Sequence, residues 1–194
     1  MLIKEAIGGF AIILSIYTYV PYFYGIYTQK TKPHAFSWII WGLILSITCT
    51  AQVVKSAGPG AWVTGFEAMA CLTVAVISLK YGERNITRSD WCFLLPTISA
   101  IPLWIMIRDP LWSVILLTVI SVAGFGPTLR KSWHAPETEV AQTYLLTGPA
   151  YAMSLIAMEN VTWTTALYPA TLMVANAGFG FMILLRRKRR GDRY

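Results

Sequence analysis

Residues 6–29 read AIGGFAIILSIYTYVPYFYGIYTQ, an unbroken run of 24 uncharged residues between Glu5 and Lys30. About 20 apolar residues in an α-helix, each rising about 1.5 Å, cross a hydrocarbon core about 30 Å thick. The sequence therefore predicts seven transmembrane helices, of which the fourth is the least regular because it contains Pro96 and Pro102. The six further spans, of 17 to 26 residues, are 33–54, 56–79, 91–107, 110–129, 140–158 and 160–185.

The composition of the 194 residues supports a membrane protein. Hydrophobic residues make up 56% and charged residues 13% of the chain, whereas a soluble domain has about 25% charged residues. This balance excludes a soluble enzyme, a disordered chain and a disulfide-rich scaffold. Transmembrane strands would need segments of about ten residues that alternate in polarity, and runs such as residues 10–14 do not alternate. The predicted fold class is an all-α membrane protein.

Lysine and arginine are unevenly divided between the two predicted sides. Three lie on the side of the N-terminus and thirteen on the side of the C-terminus. The positive-inside rule then places the N-terminus outside and the basic C-terminal tail in the cytoplasm. Short loops favour a bacterial inner membrane. Topology and lipid headgroups explain the net charge of +7, so no nucleic-acid partner is predicted.

The two ends of the chain have matching spacings. The residue numbers of Pro21 and Pro127 differ by 106, and so do those of Lys80 and Arg186. Two three-helix halves have the same orientation in the membrane when one helix links them. We therefore predict two parallel three-helix repeats joined by a linker helix. The predicted parts are 1–80 (first repeat), 81–109 (linker helix four), 110–186 (second repeat) and 187–194 (basic tail).

This three-plus-one-plus-three arrangement resembles the SWEET and PQ-loop group of small transporters. Two segments carry the local resemblance, VPYFYGIYTQKTKPHAFSW at 20–38 and GFGPTLRKSWHAPETE at 124–139, although Pro21 and Pro127 are not followed by glutamine. The resemblance implies a facilitator, with or without proton coupling, that moves a sugar or similar polar solute by alternating access. Nicotinamide-riboside-type vitamin transporters and KDEL-type receptors share the helix arrangement. Vitamin or nucleoside transport therefore stays open, as does a receptor that binds a peptide or protein.

Two polar residues inside predicted spans are the first candidates for a substrate site. Glu67 is the only acidic residue well inside a predicted span, and Asn176 is the only asparagine well inside one. A carboxyl group in the membrane is costly, so it should face a water-filled cavity or a partner. Glu67 could bind substrate, carry a proton or lock helix packing. The 106-residue shift places Asn176 opposite Ala70, one turn from Glu67, which predicts similar depth. Asn176 also matches the helix-seven asparagine that contacts sugar in the SWEET family.

Helix two offers three further candidates for contact with the solute. Trp41 could stack on a ring-shaped solute, Gln52 could line the outer mouth, and Thr48 could contact substrate between them. Small polar residues in such helices also serve close packing.

Several residues are predicted to act as hinges or gates. Pro21, Pro127 and Pro149 each remove a backbone donor and can bend a helix. Tyr17 and Tyr24 are seven residues apart on one helical stripe and could close an inner gate.

No pattern in the sequence predicts an enzyme, a cofactor or a metal site. Cys49, Cys71 and Cys92 fall inside predicted spans without metal-ligand spacing, and helix seven has no lysine before the tail for a retinal Schiff base. The expected partners are a small-molecule solute and the lipid bilayer, and a homo-oligomer is compatible with the sequence.

Overall fold

The structure is a computed structural model that describes residues 2–29, 33, 35–81, 88–134, 136 and 141–191. These residues form helices and no strands, which confirms the all-α prediction at this level. One 3-10 helix, Gly58–Ala61, precedes the third of seven α-helices. The α-helices are α1 (Leu2–Tyr27), α2 (Ala35–Val54), α3 (Trp62–Tyr81), α4 (Arg88–Ile107), α5 (Pro110–His134), α6 (Ala141–Ala157) and α7 (Trp163–Gly191).

The helices have the apolar surfaces of a membrane-embedded protein. Four helical segments within the described residues are long and apolar enough to cross a membrane: Leu2–Tyr27, Ser37–Val54, Gly58–Tyr81 and Trp163–Arg189. Shorter apolar stretches lie in α4 and α5. In α1 the buried positions are few and include the small residues Gly8, Ala11 and Ser15, while Phe10 and Ile13 are exposed. Lipid would cover the exposed apolar side chains, which in water would oppose folding.

The order of helix packing is the same in the two halves of the chain. Helix α3 packs against both α1 and α2, and α7 packs against both α5 and α6. Between the halves, α1 packs against α6 and α2 against α5, while α4 packs against α5 and α2. Exchanging α1, α2 and α3 with α5, α6 and α7 therefore reproduces the main contacts.

Glycines allow the closest helix pairs to approach. A Cβ atom at Gly42 in α2 would lie 2.6 Å from Cδ2 of Leu72 in α3. A Cβ atom at Gly148 in α6 would lie 3.4 Å from the backbone nitrogen of Ala177 in α7. Each half thus places a glycine where its second helix meets its third, and the two glycine numbers differ by 106.

The two ends of the bundle differ in chemistry. We call the end where α1, α3, α5 and α7 begin the N-terminal end, and the opposite end the basic end. At the basic end Arg186 Nη2 donates to the carbonyl oxygen of Trp133 at 2.7 Å, and the guanidinium lies 4.4 Å from the centroid of the Trp133 ring. These contacts hold the end of α7 against the end of α5.

Candidate functional site

A cavity of about 230 Å³ lies between the two halves of the chain. Side chains from α1, α2, α3, α5, α6 and α7 line it. Its wall includes the mostly buried Glu67, Tyr151 and Tyr168 and continues to Trp41 and Thr143, which are exposed towards the basic end. The cavity therefore reaches from inside the bundle towards the basic end.

Glu67 lies at the inner end of this cavity and joins the two halves. Its side chain is 6% exposed. Tyr151 Oη of α6 donates to Glu67 Oε2 at 2.5 Å, and Ser15 Oγ of α1 donates to Oε1 at 3.5 Å. The carboxyl group thus both lines a cavity and accepts hydrogen bonds between helices. Of the three roles that the sequence left open for Glu67, contact between helices is present here, while substrate binding and proton transfer stay predictions.

Three tyrosines surround the carboxyl group. The Tyr151 and Tyr168 rings are 6.3 Å apart, edge to face, and both side chains are buried. Tyr19 in α1 is hydrogen-bonded through its hydroxyl to Cys71 Sγ at 3.4 Å. The inner part of the cavity is therefore aromatic, with hydroxyl groups at the ring edges.

The outer part of the cavity, towards the basic end, is also aromatic. Trp38 and Trp41 of α2 lie 5.4 Å apart, edge to face, and Phe125 and Tyr144 contribute from α5 and α6. Trp38 Nε1 donates to Tyr22 Oη at 3.1 Å, which fixes the indole against α1. Trp41 lines the cavity, and its role as a stacking surface for a solute stays a prediction.

Asn176 lines the same cavity as Glu67. Its Nδ2 atom donates to the Leu172 carbonyl oxygen of its own helix at 2.8 Å. The similar depth of the two residues stays a prediction, and it depends on how α3 and α7 align with each other.

The glycine contacts align α3 with α7. A Cβ atom at Gly42 would lie 3.4 Å from the backbone nitrogen of Leu72, just as one at Gly148 would lie 3.4 Å from that of Ala177. Leu72 and Ala177 are 105 residues apart, close to the 106-residue shift between the two glycines. By this alignment Asn176 corresponds to Cys71, about one helical turn from Glu67.

Gln52 and Thr48 lie on the predicted face of α2 but not in the wall of the cavity. They follow Trp41 and Leu45 along one helical stripe, on the side of the cavity that faces the N-terminal end. Gln52 Nε2 donates to the Thr165 carbonyl oxygen of α7 at 3.0 Å, and both Gln52 and Thr48 are fully buried. In this conformation they pack helices together instead of facing a mouth.

A layer of polar atoms between the cavity and the N-terminal end lacks partners. Among the described residues, five buried side-chain oxygens have no hydrogen bond: Thr48 Oγ1, Gln52 Oε1 and Thr64 Oγ1 in this layer, and Ser121 Oγ and Ser132 Oγ of α5 outside it. Buried polar groups in folded proteins are nearly always paired, so such a cluster calls for a physical reason.

Contacts between the halves seal the N-terminal end beyond this layer. Ser154 Oγ donates to the Gly60 carbonyl oxygen at 2.6 Å, and the Glu159 amide donates to the Ala57 carbonyl oxygen at 3.0 Å. Lys4 Nζ donates to the carbonyl oxygen of Met158. We call the contacts of residues 57–60 with residues 154–160 the N-terminal seal.

The predicted hinge and gate residues lie mostly on the outer surface. Pro21 and Tyr17 border a groove between α1 and α6, which shares Thr143 with the cavity. Pro149 is exposed on α6, which continues through it, and Tyr24 is 64% exposed. Neither Tyr17 nor Tyr24 lines the cavity, and their role as an inner gate stays a prediction. Pro127 lies within α5, and its side chain is outside the described part of the chain.

The sequence reasoning missed the tyrosines around Glu67. Tyr151 and Tyr168 lie well inside predicted spans, away from the interfaces where aromatic belts occur. A tyrosine hydroxyl in the hydrocarbon region needs a hydrogen-bond partner, which is the signal that could have connected Tyr151 with Glu67.

The described residues contain no group of three or more histidine, cysteine, aspartate or glutamate side chains that could hold a metal ion. Cys49, Cys71 and Cys92 are free thiols. The chemistry available in the cavity is hydrogen bonding, aromatic contact and the charge of one carboxyl group.

Comparison with known proteins gives no further assignment. No protein-family model matches the chain, and no match is found among curated proteins or solved structures.

Proposed function

We propose that this chain is a small-solute transporter with seven spans, in which two parallel three-helix repeats are joined by α4 and alternate around the central cavity. The observation that carries the proposal is the cavity itself, which lies between the halves and encloses an intramembrane carboxyl group. Solute sites at the interface of structural repeats, near the middle of the membrane, are typical of secondary transporters.

The equivalence of cavity positions supports the repeat. In α2 and α6 the residue numbers of the lining pairs Trp38 and Tyr144, Trp41 and Thr147, and Leu45 and Tyr151 all differ by 106. The glycine pair and the repeated packing order of the helices point the same way. Both halves thus present the same face of their second helix to one solute.

The unpaired polar layer supports alternating access. If the halves rock so that the N-terminal seal opens and the cavity closes towards the basic end, Thr48, Gln52 and Thr64 would meet water. Their missing hydrogen bonds are then the cost of the present conformation, in which the seal is closed. The closed seal and the cavity that reaches the basic end describe one of the two states that such a mechanism requires.

The charge distribution supports an orientation for this proposal. Lys4, Lys55 and Arg108 lie at the N-terminal end, whereas the described residues at the basic end include Lys80, Arg88, Arg186, Arg187, Lys188 and Arg189. We place the N-terminal end outside and the basic end in the cytoplasm of a bacterial inner membrane. The present conformation is then open towards the cytoplasm.

Solute exchange in proteoliposomes tests this function. Vesicles with the purified protein are loaded in turn with sugars, nucleosides, vitamins, amino acids and amines, and the entry of the same radiolabelled solute is measured. We expect exchange of one class above protein-free vesicles, and at least a tenfold loss in Glu67→Gln. Glu5→Gln, which removes the same charge outside the cavity, serves as the matched control. Absence of exchange for every class, together with a copurifying peptide or protein, would replace the transporter with a receptor.

A further inference from the structure

Among the described residues, the charge in the lining of the central cavity is negative. Glu67 is the charged residue among the side chains that line it, and no lysine, arginine or histidine lines it within the described part of the chain. A ligand with an anionic group would therefore meet a carboxyl group with no cation to offset it. The cavity disfavours carboxylates and phosphates as ligands.

The hydrogen bonds of Glu67 and Asn176 also favour a ligand that donates hydrogen bonds. Both hydroxyl groups that reach Glu67, those of Tyr151 and Ser15, donate to it. Asn176 in the cavity wall uses one N–H of its Nδ2 atom for the Leu172 carbonyl oxygen, so its amide oxygen and its second N–H have no other hydrogen bond among those described. Glu67 and Asn176 both have acceptor capacity for a ligand that brings N–H groups or positive charge.

The rest of the lining is unusually aromatic. Seven aromatic side chains contribute: Tyr19, Trp38, Trp41, Phe125, Tyr144, Tyr151 and Tyr168. The faces of aromatic rings attract cations, most strongly where water is excluded, and aromatic cages recognise quaternary ammonium groups in this way. A carboxyl group and several aromatic rings that line one cavity would both attract an organic cation.

The volume limits the size of the ligand. At about 230 Å³ the cavity is below the range of about 300–1,000 Å³ that accommodates drug-sized ligands. The part of the ligand that lies inside the cavity is therefore compact.

We propose that the cavity binds a small monovalent organic cation, a quaternary or protonated amine, with its positive charge between Glu67 and the aromatic side chains. The transport of this cation rests on the function proposed above, but its binding does not. The cation would give the buried carboxyl group the opposite charge that it lacks in the described structure. Trp41 and Trp38 would contact the part of the cation that faces the basic end.

Thermal stability of the purified full-length protein tests the binding. The probes are choline, tetraethylammonium and benzyltrimethylammonium, with 3,3-dimethyl-1-butanol as the neutral molecule of the same shape as choline, and glucose as the sugar. A ligand that binds the folded state raises its melting temperature in proportion to the logarithm of its concentration. We expect at least one cation to raise the melting temperature, and the neutral alcohol and glucose to leave it unchanged.

Variants locate the bound cation. Glu67→Gln should weaken the binding of the stabilising cation at least tenfold, whereas Glu5→Gln should leave it unchanged. If Glu67→Gln does not fold, Trp41→Leu replaces it, because this variant removes one aromatic face without touching the buried hydrogen bonds. The same cation should then bind more weakly and quench less tryptophan fluorescence.

Three outcomes would overturn the inference. They are equal stabilisation by choline and its neutral analogue, stabilisation by glucose but by none of the cations, and no stabilisation by any probe. If one of these outcomes occurs but a neutral solute is exchanged in proteoliposomes, the proposed transport function is still supported. If a cation binds but no solute is exchanged, the proposed cation site is supported and the transport function is contradicted.

Discussion

Gly60 is the residue at which a small change should open the N-terminal seal. A Cβ atom at this position would lie 2.8 Å from Met158 Cα and 2.9 Å from the carbonyl oxygen of Ser154. Both contacts are with backbone atoms, so rotation of a side chain cannot relieve them. Gly60→Ala must therefore push the 3-10 helix Gly58–Ala61 away from the end of α6, where Ser154 is hydrogen-bonded to the Gly60 carbonyl oxygen.

The size of the effect follows from these contacts. Overpacking of a well-packed site costs about 1–3 kcal/mol. The hydrogen bond from Ser154 to Gly60 contributes about 0.5–1.5 kcal/mol more if it is lost. The cost applies to the closed seal and not to a conformation in which the seal is open. A bias of about 1–3 kcal/mol changes the ratio of two states by about 5–150-fold.

Cysteine accessibility measures this ratio. Thr48→Cys places a thiol of similar size in the buried polar layer, in a background where Cys49, Cys71 and Cys92 are replaced by alanine. A membrane-impermeant maleimide then reports how often position 48 meets water. Adding Gly60→Ala should raise the labelling rate at least about fivefold.

The control is a glycine with free space around it. Gly9 in α1 has no heavy atom within 4 Å of an added Cβ atom. Gly9→Ala should leave labelling at position 48 unchanged. A folded Gly60→Ala protein whose labelling rate equals that of the parent would refute the account of the seal. So would an equal increase in Gly9→Ala.

Two further substitutions test the packing around the cavity. Tyr151→Phe should lower stability by about 1–3 kcal/mol, because it removes the closest donor to the buried carboxyl group of Glu67; thermal unfolding of the purified protein measures this, and an unchanged melting temperature would contradict the hydrogen bond. Gly42→Ala should lower the melting temperature more than Gly148→Ala, because it forces Leu72 to move while the contacts at Gly148 are ordinary; the reverse order would contradict the described contacts.

The helices could be predicted from the sequence because lipid imposes a simple rule. A helix that crosses a membrane needs a long apolar run, and charged residues mark the ends of such runs. The predicted span at 91–107 became α4 despite Pro96 and Pro102. At the predicted span 110–129 the helix is longer than the span, because α5 continues to His134. Charge marks where a helix leaves the membrane rather than where it ends.

The candidate site was predictable in part. Glu67, Asn176 and Trp41 line one cavity, since a polar or large aromatic residue inside a span usually faces the interior. Gln52 and Thr48 lie on the face of α2 that also lines the cavity, but they are beyond its inner end. How far a cavity extends along a helix depends on where the neighbouring helices pack against it. Periodicity gives the face of a helix and not the level at which a cavity ends.

The tyrosines could not be found from the sequence because their role depends on a neighbour far along the chain. Tyr151 meets Glu67 across 84 residues, and Ser15 meets it across 52 residues.

Labelling from the two faces of the membrane tests alternating access most directly. Thr48→Cys and Thr147→Cys are matched threonine substitutions, the first between the cavity and the N-terminal end and the second in the cavity wall. In oriented vesicles, an impermeant maleimide should label Thr147→Cys from the basic side alone and Thr48→Cys from the opposite side alone. Gly60→Ala should raise the labelling of Thr48→Cys while it lowers that of Thr147→Cys. Labelling of both positions from the same side, or changes in the same direction, would contradict the account.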